Sequence, residues 1–190
     1  MIKKTTIITI FILFANVLIA QSVIDLDFKN GFKHFKLGSS PNDIKNIVKE
    51  KNKFTQKNSN VVNYDYIGED ISYIYNIKVD GITLVFFKNK LFKILVSFGS
   101  FKEKVNFEIY DFNDILYALE KTYGKKWVQP NNAEGNMVNI AVWEGKKVRL
   151  ELVRIDFSKS KTNPKDYGYI GGYLSVFDKK IMSEMYANEF

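Results

Sequence analysis

Residues 71–98 carry the pattern that most restricts what this chain can become. Ile71, Tyr73, Tyr75, Ile77 and Val79 recur at every second position. Side chains two apart in an extended chain share a face, so this run predicts a strand with one apolar side. Asp80-Gly81 follows, and Gly accepts the positive φ that a tight hairpin turn needs. Ile82 to Phe87 returns as a second strand, Lys88-Asn89-Lys90 turns again, and Leu91 to Phe98 is a third. The pattern predicts an antiparallel meander, with a fourth strand around Val61 to Ile67.

A helix is expected on each side of such sheet material. Ser40-Pro41-Asn42-Asp43 reads as a helix start, with Ser40 as cap and Pro41 at the first helical position. Ile44, Ile47 and Val48 then fall at helical spacing, and the helix is expected to end near Lys51-Asn52. Asp111 caps a second helix whose stripe is Ile115, Leu116, Leu119 and Tyr123, with Gly124 as its stop. Strands are expected from Met137 to Trp143, from Val148 to Phe157 and from Tyr167 to Phe177, with a turn at Glu144-Gly145-Lys146. Residues 179–187 read as a short terminal helix. Helix-then-meander thus occurs twice, at about 36–98 and 110–177. The expected architecture is α+β: an antiparallel β-sheet with two helices on one face, built from two tandem helix-plus-meander units that fuse their strands into one curved sheet.

The first twenty residues address the chain. Met1-Ile2-Lys3-Lys4 is a cationic start, an apolar run follows from Ile7 to Ile19, and it closes on Ala20 and Gln21. A charged start, an apolar run of this size and a small residue at its end describe a secretory signal peptide. A membrane span needs about 20 apolar residues, so the run is short for one. Cleavage between Ala20 and Gln21 would leave residues 21–190 as a single secreted domain, periplasmic or extracellular, without a transmembrane helix. No cysteine occurs, so neither a lipid anchor nor a disulfide is available, and the fold must rest on its apolar core. With 46% hydrophobic residues, that core is affordable. The formal charge of +7 falls by two to +5 when Lys3 and Lys4 leave with the leader. Acidic residues are interspersed among the lysines, which describes a solubilising surface and not a nucleic-acid site.

Leu37-Gly38-Ser39-Ser40-Pro41-Asn42-Asp43-Ile44, followed by a helix, a loop and a meander with a tight Gly turn, resembles the β-lactamase-inhibitor-like class of small envelope modules, including the assembly lipoproteins of the SmpA/OmlA type. The resemblance covers residues 36–98 and more loosely 110–177. It departs from that class in having neither the lipidated Cys nor the disulfides. It transfers no functional residue and implies a non-enzymatic, protein-binding module.

Chemistry-bearing residues are sparse. With one histidine, His34, and no cysteine, thiol catalysis and a Ser-His-Asp triad lack parts, and no cofactor or metal is expected. Asn131 to Asn136 has too few carboxylates for a calcium loop. Gly171-Gly172 reads as a bulge or a close approach of two backbones. Two functions remain. The first is a binding module for an unidentified envelope protein, using aromatics with polar tips: Trp143, Tyr64, Tyr66 and Trp127. These equally suit a core, as do Tyr73 and Tyr75, which read as buried or half-buried. The second is a small cell-wall glycan hydrolase with Asp65 and Glu69 as its carboxylates, which would have to face each other across a cleft.

Overall fold

The structure is a computed structural model that describes residues 26–50, 60–130, 137–157 and 169–187. The expected signal peptide with its Ala20–Gln21 boundary, the expected loop from Asn131 to Asn136, and most of the loop expected over 52–63 and of the linker expected before the last strand lie outside the described residues.

Ten strands are described. A small hairpin, β1 (Gly31–Phe32) with β2 (Phe35–Lys36), stands apart. The rest are β3 (Ile47–Lys49), β4 (Val61–Tyr66), β5 (Tyr73–Ile74), β6 (Ile77–Phe87), β7 (Lys90–Phe98), β8 (Met137–Glu144), β9 (Val148–Asp156) and β10 (Ile170–Asp178). Their order is β3-β4-β6-β7-β10-β9-β8, with β5 paired to β6 off this path, and every pairing is antiparallel. The chain lays down one meander and passes through a long helix, Ile109–Tyr123. It then lays a second meander from the far edge inward, so that β10 closes against β7. The fold is therefore α+β on an antiparallel sheet, with the two halves joined at β7–β10.

Several turns form where the sequence places them. Lys88 and Asn89 both take positive φ, 48° and 61°, and join Phe87 to its ladder partner Lys90. A turn spans 145–147 between β8 and β9. The long helix stops at Gly124, whose φ of 81° suits a residue without Cβ, and whose N–H donates to Glu120 O at 2.9 Å. Its cap lies three residues before the expected one. Asp111 reaches back to accept from the Glu108 N–H at 2.8 Å. The terminal helix is Lys179–Ala187.

Three expectations are corrected. The run 71–79 is not one strand. Its hairpin turn falls at Tyr75-Asn76, where Tyr75 takes a φ of 53°, so that Ile74 pairs with Ile77. Ile71, Ile74 and Ile77 are buried, while Tyr73 and Tyr75 are 58% and 59% exposed and are not core. Asp80-Gly81 is no turn either. It lies inside β6, where Val79 pairs with Phe98 and Gly81 with Ser97, leaving Asp80 as the extra residue of a bulge.

The third correction is the helix over 40–51. Ser40 caps as expected, accepting from Asn42 N at 3.2 Å, while its own N–H donates to Asp43 at 2.9 Å. The turn of helix runs only over Pro41–Asp43. Ile44 is already extended, and Ile47 pairs with Tyr66 in the β3–β4 ladder. β-Branched residues favour strands, and a partner strand outweighs a marginal stripe. The first unit thus carries a single turn where the second carries a helix. One long helix covers the core face of the sheet with Phe112, Ile115, Leu119 and Tyr123. The terminal helix buries no residue fully.

The start of the described chain is tied to the far hairpin. Leu26 is buried, and the Asp27 carboxylate accepts N–H bonds from Lys146, Lys147 and Val148 at 2.7, 2.9 and 2.9 Å. Burial alone would raise the Asp27 pKa. The three backbone N–H groups and the Lys147 charge outweigh it and hold the pKa below the usual carboxylate range. A depressed pKa means stability that is present above the unfolded pKa and lost as pH falls through the folded one. Asp27→Ala is expected to cost about 1–2 kcal/mol near neutrality, discounted because the carboxylate is partly solvated. In urea titrations, the gap between the wild-type chain and Asp27→Asn should narrow from about pH 5 toward pH 2. A gap that stays constant over that range would remove the charge from the account.

Candidate functional site

The four aromatics expected to form a contact surface do not share an open face. Trp143 is 3% exposed in the core, and its Nε1 donates to Gly124 O at 2.8 Å. It is a helix anchor, which corrects its reading as a contact residue. Trp127 lies half-buried with its ring centroid 6.4 Å from that of Trp143, and its Nε1 donates to Glu120 at 2.8 Å. Tyr64 packs edge-on against Phe86 at 5.3 Å, and Tyr66 against Phe35 at 5.0 Å. Alternation along β4 and β8 turns Tyr64, Tyr66 and Trp143 to the core face.

The carboxylates do not converge either. Asp65 faces Thr83, which donates to it at 3.5 Å, on the side of β4 opposite Tyr64 and Tyr66. Glu69 offers its backbone carbonyl to Ser72. Nothing among the described residues brings these two side chains to a common partner. Asp70 does meet other groups. The Tyr66 hydroxyl donates to it, which raises the Tyr66 pKa and lowers that of Asp70, and His34 Nδ1 stands 3.4 Å away. On the opposite face of the sheet, Arg149 bridges Glu144 at 3.1 Å and Glu151 at 2.8 Å. Nearby burial pushes the Lys93 pKa down, against the pull of Glu151. Gly172 is a close-approach site as expected, although the approaching group is the Phe107 ring together with Val153 O. Among the described residues no group of three or more His, Asp or Glu is placed to hold a metal ion. No described helix is long and apolar enough to cross a membrane.

One concavity stands out. The β1–β2 hairpin is closed by Leu37 N donating to Asn30 O at 2.9 Å and by Asn30 Nδ2 donating to Leu37 O at 3.1 Å. Gly31 sits so near its partner strand that a Cβ there would collide with Phe35 O. Phe35 is buried and pins the hairpin to the core, while Lys33 takes a φ of 53° at the turn. Between this hairpin and the C-terminal half of the long helix lies a cavity of about 530 Å³. Ile115 and Leu119 of the helix and Leu174 of β10 form an apolar floor, with Ile74 at one side. Lys29, Lys33 and Lys36 also line it, and no carboxylate does. Lys29 Nζ lies 4.9 Å over the Tyr123 ring, and Lys36 Nζ donates to Lys29 O at 2.8 Å. Lys33 has no carboxylate partner among the described residues. The floor side chains are themselves buried, and the lining open to a ligand is Lys29, Lys33, Lys36, Phe32, Tyr75 and Thr122, an arrangement that can hold an anionic ligand.

The reading of the sequence missed this site, although a signal exists. Phe28-Lys29, Phe32-Lys33 and Phe35-Lys36 are three Phe-Lys pairs in one short stretch, FKNGFKHFK. The three lysines of those pairs are the ones lining the cavity.

A model of the TP0088 domain matches residues 30–180, which takes in the hairpin and both meanders. No curated protein and no solved structure matches the chain.

Proposed function

The chain belongs to the TP0088 domain family, and for this member we propose a non-enzymatic binding module that works outside the cytoplasm and takes its ligand in the cavity beneath the β1–β2 hairpin. The observation that carries this reading is the cavity itself: about 530 Å³, apolar at its floor, with three lysines and no carboxylate in its lining. That size lies within the usual 300–1,000 Å³ or so of ligand pockets. Export is supported by the cationic start and the apolar run from Ile7 to Ile19. Binding in a cavity takes the place of binding by a flat aromatic face, because Trp143, Tyr64, Tyr66 and Trp127 are engaged in packing.

The test uses protein recovered from the exported fraction of its native cells. Its N-terminus should be Gln21, and native mass spectrometry should show a bound small molecule that is released on denaturation. Leu119→Trp, which fills the cavity floor, should remove that molecule while far-ultraviolet circular dichroism stays unchanged. A cell-retained product that begins at Met1 would end the export half of the proposal. Equal retention of the molecule by Leu119→Trp would end the cavity half.

A further inference from the structure

We infer that the ligand is a sugar carrying a phosphate monoester, with the phosphate among Lys29, Lys33 and Lys36 and the sugar ring against the exposed ring of Tyr75. This rests on the reading of the cavity as the binding site and names what that site takes.

The first sign lies in the backbone. Lys33 and Tyr75 both take a φ of 53°, each at the turn of a different hairpin. Both are exposed, and both line this cavity. Glycine or asparagine occupies the left-handed region with less strain than a lysine or a tyrosine does. Residues held at such a cost gather at ligand sites, where the side chain is needed in that place. Tyr75 is 59% exposed, and among the described residues its ring packs against no other ring. Packing against another ring therefore does not explain why a tyrosine stands at this turn.

Charge selects the phosphate. No carboxylate lines the cavity, and none of its three lysines forms an ion pair among the described residues. Ammonium groups around one small space repel one another until an anion enters. Lys36 Nζ is held by Lys29 O, and Lys29 Nζ lies over the Tyr123 ring, so both heads stay beside the hairpin. A carboxylate or a sulfate ester brings one negative charge. A phosphate monoester brings nearly two at neutral pH, with three acceptor oxygens for three lysines.

The open part of the lining selects the sugar. Besides the lysines it consists of Phe32, Tyr75 and Thr122. A tyrosine offers a flat apolar ring to the C–H face of a sugar and a polar tip to its hydroxyls. Thr122 Oγ1 donates to Ala118 O at 2.9 Å and keeps acceptor capacity for a ligand hydroxyl. Inorganic phosphate would leave Tyr75 and Thr122 without a role.

The experiment titrates the exported protein, dialysed free of small molecules, with glucose 6-phosphate by calorimetry. Saturable one-to-one binding is expected, and added salt should weaken it. Glucose 6-sulfate has the same ring and one charge fewer, and it should bind at least about tenfold more weakly. The double variant Lys33→Gln/Lys36→Gln should lose at least about tenfold for glucose 6-phosphate. Tyr75→Asn should lose about fivefold for glucose 6-phosphate and nothing for inorganic phosphate. Its urea midpoint should stay level or rise, because asparagine suits the left-handed turn. Adenosine 5′-monophosphate separates two sources of this chemistry. Tighter binding of glucose 6-phosphate assigns a free sugar phosphate and tighter binding of the nucleotide assigns a nucleotide, and either result supports the inference.

Equal affinity for the phosphate and the sulfate overturns the inference, as does equal affinity for glucose 6-phosphate and inorganic phosphate. So does binding only to vesicles of phosphatidylglycerol. A lower urea midpoint for Tyr75→Asn with unchanged affinity makes Tyr75 a structural residue and overturns the ring contact. Failure of both phosphorylated probes while Leu119→Trp still removes the co-purifying molecule would discard the ligand class and leave the cavity standing. Binding of glucose 6-phosphate that survives both Leu119→Trp and the lysine variant would discard both. The lysine and tyrosine variants change only exposed side chains, so the test holds even if Leu119→Trp does not fold.

Discussion

Replacing Phe107 by Ala is expected to lower the free energy of unfolding by about 3–5 kcal/mol. The ring is 1% exposed and joins four elements. It stacks on Phe98 of β7 with centroids 5.0 Å apart and planes 19° apart, and it meets Phe112 of the long helix at 6.4 Å. Its backbone N–H donates to Ile170 O of β10 at 2.7 Å, and its carbonyl accepts from Arg154 Nε of β9 at 2.9 Å. The ring lies over Gly172, where a Cβ would run into it. That last contact makes the loss large. The space left by an alanine has no side chain at 172 to fall into it, so the surroundings relax little and the cavity cost remains. Domains are stable by only about 5–15 kcal/mol, so this one ring accounts for a substantial share. Urea unfolding followed by tryptophan fluorescence measures it. A loss below about 1.5 kcal/mol would mean that the Phe98–Phe107 stack is not tightly packed.

Local chemistry explains which parts of the fold were legible in the sequence. Gly124 ends its helix, and the 88–89 and 145–147 turns form, because each depends on residues within a few positions. The α+β class and the fusion of two meanders followed from counting strands and helices. Patterns that serve two structures equally well misled. Ile44, Ile47 and Val48 satisfy a helical stripe, yet they are β-branched, and the β4 ladder decided for strand. Tyr73 and Tyr75 alternate with isoleucines, yet a two-residue loop at Tyr75-Asn76 breaks the alternation and turns both tyrosines to solvent. The site needed tertiary structure. Its rim is visible in the sequence as three Phe-Lys pairs, but Leu119 and Leu174 reach the same cavity only because the helix and β10 pack beneath the hairpin.

Trp143→Ala is expected to cost about 3–5 kcal/mol, and Trp143→Phe only about 1–2 kcal/mol. The two substitutions separate two jobs of one side chain. Both remove the indole N–H and leave the Gly124 carbonyl without its donor, at the helix terminus where carbonyls have no intrahelical partner. Only the alanine also empties the space against Trp127 and the core. Urea unfolding followed by far-ultraviolet circular dichroism measures both without relying on the indole that is removed. A contact residue on an open sheet face would leave stability nearly unchanged in either variant, as surface substitutions usually do. A wide gap between the two variants would place most of the contribution of Trp143 in ring packing. A narrow gap with two large losses would place it in the bond to Gly124, and would make that bond the fastening between the helix and β8.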